Sequence, residues 1–150
     1  MIKKEIYLDY AATTPVDPAV IAVMTECLGS DGDSANPSSS HSPGRRAKAR
    51  VEVARSQIAK RVGVPSDTIW FTSGATESDN MALIGAMRAN EYRGRHLITS
   101  VLEHKAILDT AHALEKEGVE VTYVNHDPDG IVDPDQIAEA IRDDTVLVSI

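Results

Sequence analysis

Residues 68–150 alternate between short apolar runs and longer amphipathic segments, and this alternation constrains the fold more than any other feature of the sequence. β-Branched and aromatic runs separated by helical patterns of this length are typical of βαβ units in a largely parallel sheet. The sequence therefore predicts an α/β fold with helices on both faces of the sheet. The predicted strands are 68–72, 96–101, 119–124 and 145–150, and the predicted helices are 76–90, 103–117 and 134–143.

Two of the predicted strand ends carry residues suited to a ligand. Residues 73–76 form a Gly-containing turn that opens a helix, and residues 103–104 follow the next strand along the chain. A helix start presents unpaired N–H groups and the positive end of the helix dipole, so the turn can hold a phosphate, although an ordinary capped turn is the alternative. Because ligands collect at the carboxyl ends of parallel strands, both segments are expected near one crevice.

The first part of the chain has a helical pattern. Asp17 and Pro18 form a cap and first turn, and Gly29 suits the helix stop. Residues 30–40 are polar and predicted to be a loop, after a short strand near residues 6–8. A second helix ends at Gly63 and should bury a narrow apolar stripe lined by Ala47, Val51, Ala54, Ile58 and Val62. We assign 1–66 to an N-terminal helical segment and 67–150 to the first half of a larger α/β domain.

Composition excludes several classes of protein. A formal net charge of −8 argues against a nucleic-acid partner, and no apolar run is long enough to span a bilayer. Residues 1–5 lack a following apolar signal region, so export is not indicated. The single cysteine, Cys27, fits a reducing compartment. Neither a phosphate-binding loop of the Gly-x-x-x-x-Gly-Lys type nor a Gly-x-Gly-x-x-Gly dinucleotide motif occurs.

Four motifs occur in order along the chain: YLDYAATTP at 7–15, NPSSSHSPGR at 36–45, FTSGATESDN at 71–80 and EHKA at 103–106. Together they resemble motifs of the cysteine desulfurases, which are pyridoxal-phosphate enzymes of the class V aminotransferase group. The resemblance covers residues 6–150 and is strongest to the type that supplies sulfur for iron–sulfur cluster assembly.

The resemblance implies the N-terminal part of a transferase of fold type I with pyridoxal 5'-phosphate as cofactor. Gly74, Ala75 and Thr76 would bind the cofactor phosphate, and His104 would stack on its ring and transfer protons. The reaction implied is removal of sulfur from L-cysteine to give L-alanine and an enzyme-bound persulfide. The resemblance also implies iron–sulfur scaffold and sulfur-acceptor proteins as partners, a homodimer and a cytoplasmic location. From the residues alone, a histidine that only caps a helix would be favoured at position 104.

Several other polar or reactive residues have weaker support for a functional role. Lys105 is expected to be a surface residue, because the family's cofactor-binding lysine belongs to a later Ser-x-His-Lys segment. Cys27 is expected to be a small structural thiol on a helix face. His41 could line a substrate entrance or simply pack its loop. The remaining histidines lack metal-ligand spacing, so no metal is predicted; they are His96, His112 and His126.

At 150 residues, the chain is expected to be a portion of a desulfurase and inactive by itself. An apolar run at 145–150 has no polar cap after it, which suggests truncation. Two alternatives remain open. One is a selenocysteine lyase or another class V aminotransferase; the other is a non-catalytic fragment that acts as a binding or assembly module.

Overall fold

A computed structural model of the protein describes residues 6–30 and 32–150. The chain divides into two compact units, Met1–Trp70 and Phe71–Ile150. Residues 1–5, which the sequence predicts not to begin an export signal, lie outside the described part. Residues 6–8 form no strand, contrary to the sequence prediction. The domain assignment at 66/67 stays a prediction.

The first unit contains the two predicted helices. Helix α1 spans Pro18–Leu28, and its N-cap Asp17 accepts the Ala19 N–H at 2.8 Å. Helix α2 spans Ser42–Val62 and ends at Gly63, whose φ of +74° is left-handed and suits glycine. The local signals of capping and termination therefore predicted these helices correctly.

The apolar faces of these helices are less buried than the sequence predicts. Within α2 the buried residues are Gly44, Ala47 and Ala59, whereas Ile58 is 41% exposed and Val62 is 60% exposed. The predicted stripe is therefore wrong at Ile58 and Val62, and Ala59 is the buried residue near the C-terminal end of the helix. Helix α1 buries none of its residues.

The predicted strand at 68–72 is wrong. Ser66–Thr68 form a 3₁₀ turn, Ile69 after it is extended, and residues 69–72 pair with no strand in the described part of the chain. An isolated extended segment must satisfy its backbone groups elsewhere. The Ile69 carbonyl does so by accepting a hydrogen bond from the Arg55 guanidinium.

The second unit is built around a three-stranded parallel sheet of β1 His96–Ser100, β2 Glu120–Val124 and β3 Thr145–Ser149, in the spatial order β2-β1-β3. The chain runs from β1 outward to β2, then crosses back to the other side of β1. Because such crossovers are right-handed, this reversal places the two connecting helices on opposite faces of the sheet. The predicted α/β class is confirmed. The elements are α3 Ala75–Ala89, β1 His96–Ser100, α4 Lys105–Lys116, β2 Glu120–Val124, α5 Pro134–Ala140 and β3 Thr145–Ser149.

Helices α3 and α4 pack together on one face of the sheet. The apolar core there joins both helices to the central strand. Leu97, on β1, is fully buried in this core. Burial of this kind is the main source of stability for a small α/β unit. The core residues are Leu83, Met87, Leu97, Ile107, Ala111, Leu114 and Val119.

A buried histidine ties all three strands together at the start of β1. The His96 side chain is 0% exposed. Its Nδ1 lies 2.8 Å from the Thr145 hydroxyl, and its Nε2 lies 2.8 Å from the Thr122 hydroxyl. Thr145 Oγ1 also accepts the Arg142 N–H at 2.7 Å, so its own proton is free for Nδ1. A neutral imidazole with the proton on Nε2 satisfies this network.

The turn before β1 leaves no room for a side chain at Gly94. A Cβ atom there would collide with the Asp144 carbonyl group. The same carbonyl oxygen accepts the His96 N–H at 3.2 Å. Close approach of two backbones therefore explains glycine at this position.

Candidate functional site

The first turn of α3 contains unpaired donors. Its first intrahelical bond runs from the Ser78 N–H to the Gly74 carbonyl at 3.2 Å. In the described part of the chain, the N–H groups of residues 75–77 and the Thr76 hydroxyl have no hydrogen-bond partner. These donors point from the positive end of a helix dipole, which suits a bound phosphate.

Gly74 leaves open space in front of these donors. Its backbone is extended, with φ of 163°, and a Cβ atom built there would contact nothing within 4 Å. The protein's own packing therefore does not require glycine at this position. A ligand that approaches the backbone closely would require it. The turn thus fits a phosphate group in both its donors and its space.

The Glu77 carboxylate holds Ser73, which precedes the first turn of α3, through hydrogen bonds. One oxygen of Glu77 accepts hydrogen bonds from both the Ser73 hydroxyl and the Ser73 N–H, each at 2.6 Å. These bonds, the hydroxyl's first, hold the pKa of Glu77 below its ordinary value. The interaction resembles a capping box, in which a glutamate reaches back to the chain before the helix.

We expect Glu77→Ala to speed amide exchange at Ser73. Because the folded pKa of Glu77 is lowered, the contact stabilises the turn fully above about pH 4.5 and is lost as the pH falls through the folded pKa. Exchange measured by NMR at pH 7 tests this expectation, with Asp79→Ala as the control on the same helix. Equal exchange at Ser73 in the parent and the Glu77 variant would contradict the assigned role.

His104 is the N-cap of α4. Its Nδ1 accepts the Ala106 N–H at 3.1 Å, so the ring has the capping role expected of an ordinary histidine at a helix start. The ring is exposed, and its Nε2 has no hydrogen-bond partner in the described part of the chain. One nitrogen is therefore committed to the helix, and the other is available to a ligand.

The two helix starts lie at the same end of the unit. Asn80 bonds to Thr110, and Arg88 forms an ion pair with Glu117 at 3.1 Å. Contacts at both points mean that α3 and α4 run parallel. Asn80 and Thr110 each lie five residues after the first residue of their helix, about 7.5 Å along each axis at 1.5 Å per residue. The N-termini of α3 and α4 are thus side by side. The prediction that residues 73–76 follow a strand is wrong.

The structure also locates the other residues singled out in the sequence. His41 caps α2, its Nδ1 accepting the Gly44 N–H at 3.2 Å. Cys27 is a free, half-buried thiol. Lys105 is exposed at the start of α4. Within residues 6–30 and 32–150, no group of three potential ligands could hold a metal ion. In the same ranges, no helix has the length and apolar character needed to cross a membrane.

Sequence reasoning missed the residues that connect the two helix starts. Asn80 and Thr110 lie on the facing sides of α3 and α4, and their contact depends on packing between segments 30 residues apart. The spacing of Thr76 and Asn80, one helical turn apart within the 71–80 motif, was the available signal. On sequence grounds His96 is excluded as a metal ligand and given no other role, although a polar residue in an apolar strand run already indicates a satisfied buried group.

The chain belongs to the aminotransferase class-V family, whose model matches residues 6–150. It is 55% identical to cysteine desulfurase IscS of Histophilus somni strain 2336 and 52% identical to that of Azotobacter vinelandii. Each comparison covers 99% of this chain and 37% of the relative. The predicted resemblance to cysteine desulfurases is confirmed.

The chain is also similar to solved structures over nearly its whole length. A NifS-like protein aligns with a TM-score of 0.89 at 39% identity, covering 97% of this chain and 39% of that one. A structure described as SspA in complex with cysteine aligns with a TM-score of 0.85 at 40% identity, covering 95% of this chain and 40% of that one. The chain therefore spans well under half the length of the relatives that it matches.

Proposed function

We propose that this chain forms the N-terminal part of a cysteine desulfurase, which removes sulfur from L-cysteine to give L-alanine and a protein-bound persulfide. The observation that carries the proposal is the pair of parallel helix starts, one with free donors at residues 75–77 and one with the free Nε2 of His104. Similarity to proteins named cysteine desulfurase over 99% of the chain supports it.

Pyridoxal 5'-phosphate is the proposed cofactor. When bound, it supplies an electron sink for chemistry at the substrate α-carbon. The N–H groups of residues 75–77 and the Thr76 hydroxyl would hold its phosphate, and Gly74 would allow close approach. His104 would lie against its ring. While Nδ1 accepts the Ala106 N–H, the neutral ring carries its proton on Nε2, so Nε2 would donate a hydrogen bond, and it would take up a proton only after the ring gives up this cap.

The wider setting is also part of the proposal. We infer a homodimer in the cytoplasm that delivers sulfur to iron–sulfur scaffold and acceptor proteins. The motif resemblance supports the partners and the dimer, and the single cysteine in 150 residues is compatible with a reducing compartment.

The activity test uses a complete enzyme that carries residues 1–150. With pyridoxal phosphate and L-cysteine, alanine should form together with an equal amount of transferable sulfur. Alanine formation from selenocysteine alone would favour the lyase alternative. Absence of cofactor binding, measured by equilibrium dialysis, would contradict the proposal as a whole.

Thr76→Ala should weaken retention of pyridoxal phosphate by about 1–3 kcal/mol in that enzyme, the range for a hydrogen bond to a charged group. Thr76→Ser keeps the hydroxyl and serves as the matched control. Equilibrium dialysis gives the dissociation constant of each variant. Equal affinity in Thr76→Ala and its parent would mean that the phosphate binds elsewhere.

A further inference from the structure

A series of hydrogen bonds connects the first turn of α3 with the first turn of α4. The Asn80 Nδ2 group donates to the Thr76 carbonyl at 2.8 Å. The Thr110 hydroxyl lies 2.8 Å from Asn80 Oδ1 and 2.7 Å from the Ala106 carbonyl. The Ala106 N–H in turn donates to His104 Nδ1 at 3.1 Å. The series therefore begins at the proposed phosphate site and ends at the proposed ring-stacking residue.

The chemistry of each partner fixes the direction of these bonds. A backbone carbonyl only accepts, so Asn80 must present its NH₂ group to Thr76. Its carbonyl oxygen then faces Thr110, whose single hydroxyl proton is shared between Asn80 Oδ1 and the Ala106 carbonyl. Thr110 is 5% exposed and Asn80 is half-buried, so water cannot freely replace this bond.

We propose that Asn80 and Thr110 are positioning residues that fix the offset between the phosphate-binding turn and the His104 ring. The inference rests on the proposed function. A cofactor with a rigid ring can contact both helix starts only at one offset along the helix axes. Apolar packing between α3 and α4 is not directional, so it defines their relative position along the helix axes only loosely. A hydrogen bond is directional, so the Asn80–Thr110 bond sets that position.

The matched variants are Thr110→Val, Thr110→Ser and Thr99→Val in a complete enzyme that carries residues 1–150. Thr110→Val keeps the shape but leaves Asn80 Oδ1 without its donor; Thr110→Ser keeps the hydroxyl. Thr99 is also fully buried, yet its hydroxyl has no partner in the described part of the chain, so Thr99→Val controls for the substitution itself.

We expect Thr110→Val to raise the dissociation constant of pyridoxal phosphate by about tenfold, equivalent to about 1.4 kcal/mol. The visible circular dichroism of the bound cofactor should change as well, because the ring loses its fixed orientation. Thr110→Ser and Thr99→Val should stay within about twofold of the parent. If Thr110→Val does not fold, Asn80→Ala on the half-exposed partner replaces it, with the same expected loss.

A double variant separates positioning from simple stability. If Thr110 acts through His104, the change that Thr110→Val makes in the circular dichroism should shrink in a His104→Asn background. An equal change in both backgrounds, or parental binding by Thr110→Val and Asn80→Ala, would overturn this inference and leave the proposed function intact. A parent enzyme that binds no cofactor would overturn the proposed function and this inference with it.

Discussion

Replacing His104 with asparagine is expected to lower turnover by about 10²–10⁴-fold, the usual range for loss of a general acid or base. The structure makes asparagine the informative choice, because Nδ1 of His104 caps α4 through the Ala106 N–H. Asparagine is a strong N-cap and should keep that bond, while removing the free Nε2. Alanine formation from cysteine is the measurement, made alongside cofactor absorbance and the thermal midpoint in a complete enzyme.

His104→Ala is the matched control, since it removes the cap as well as the ring. It should lose about 1 kcal/mol of stability in addition to the same loss of turnover. An asparagine variant with near-parental turnover would show that His104 serves only as a helix cap. Reduced turnover in proportion to lost cofactor would instead point to binding rather than proton transfer.

The sheet is expected to weaken as the pH falls from about 7 to 5, because of His96. Burial lowers the pKa of its ring, and the nearby Arg142 guanidinium lowers it further, while Asp144 and Glu120 oppose the shift. A histidine with a lowered folded pKa stabilises the fold fully above its unfolded value of 6.5. That contribution is lost as the pH falls below 6.5 toward the folded pKa, because the opened state takes up the proton more readily.

Amide exchange across residues 96–100 measures this effect as a local free energy of opening. His96→Ala should lower it at pH 7 by about 2–4 kcal/mol, since it leaves a cavity and removes the imidazole partner of two half-buried hydroxyls. The hydroxyls belong to Thr122 and Thr145.

His96→Gln supplies the control for the pH dependence. Glutamine retains a donor and an acceptor but does not titrate, so the opening free energy should no longer fall between pH 7 and 5. An unchanged slope in this variant would assign the pH dependence to other groups. The carboxylates with lowered pKa values, such as Asp144, act at lower pH.

Sequence periodicity predicted most elements because their signals are local. The caps at Asp17 and the stop at Gly63 depend only on neighbouring residues, and both are confirmed. The error at 68–72 has a different origin, because a strand exists only when another strand lies beside it. β-Branched and aromatic residues favoured an extended backbone there, and Ile69 is extended, but strand pairing cannot be read from the residues of one segment.

In the candidate site, too, features that depend on neighbouring residues could be predicted, and features that depend on packing could not. Gly74, Ala75 and Thr76 lie in one motif, so their position at a helix start could be predicted; their role and that of His104 stay predictions. The bond between Asn80 and Thr110 joins segments that meet only after α3 and α4 pack, so the local spacing of Thr76 and Asn80 could indicate a role for Asn80 but not its partner Thr110. The capping bond of His104 was foreseen only as an alternative to a catalytic role. The two roles compete for the single proton of the neutral ring: while Nδ1 accepts the Ala106 N–H the proton stays on Nε2, so the cap must open before Nε2 can act as a base.

The collision that a side chain at position 94 would make with the Asp144 carbonyl has a consequence for how this sequence can diverge. Any other residue there must push away the turn that leads into β3, and Thr145, which bonds to His96, would move with that turn. Position 94 and the histidine network are therefore constrained together. In a saturation library selected for folding, Gly94 should remain nearly invariant, whereas Gly85, whose Cβ would meet nothing within 4 Å, should accept alanine freely.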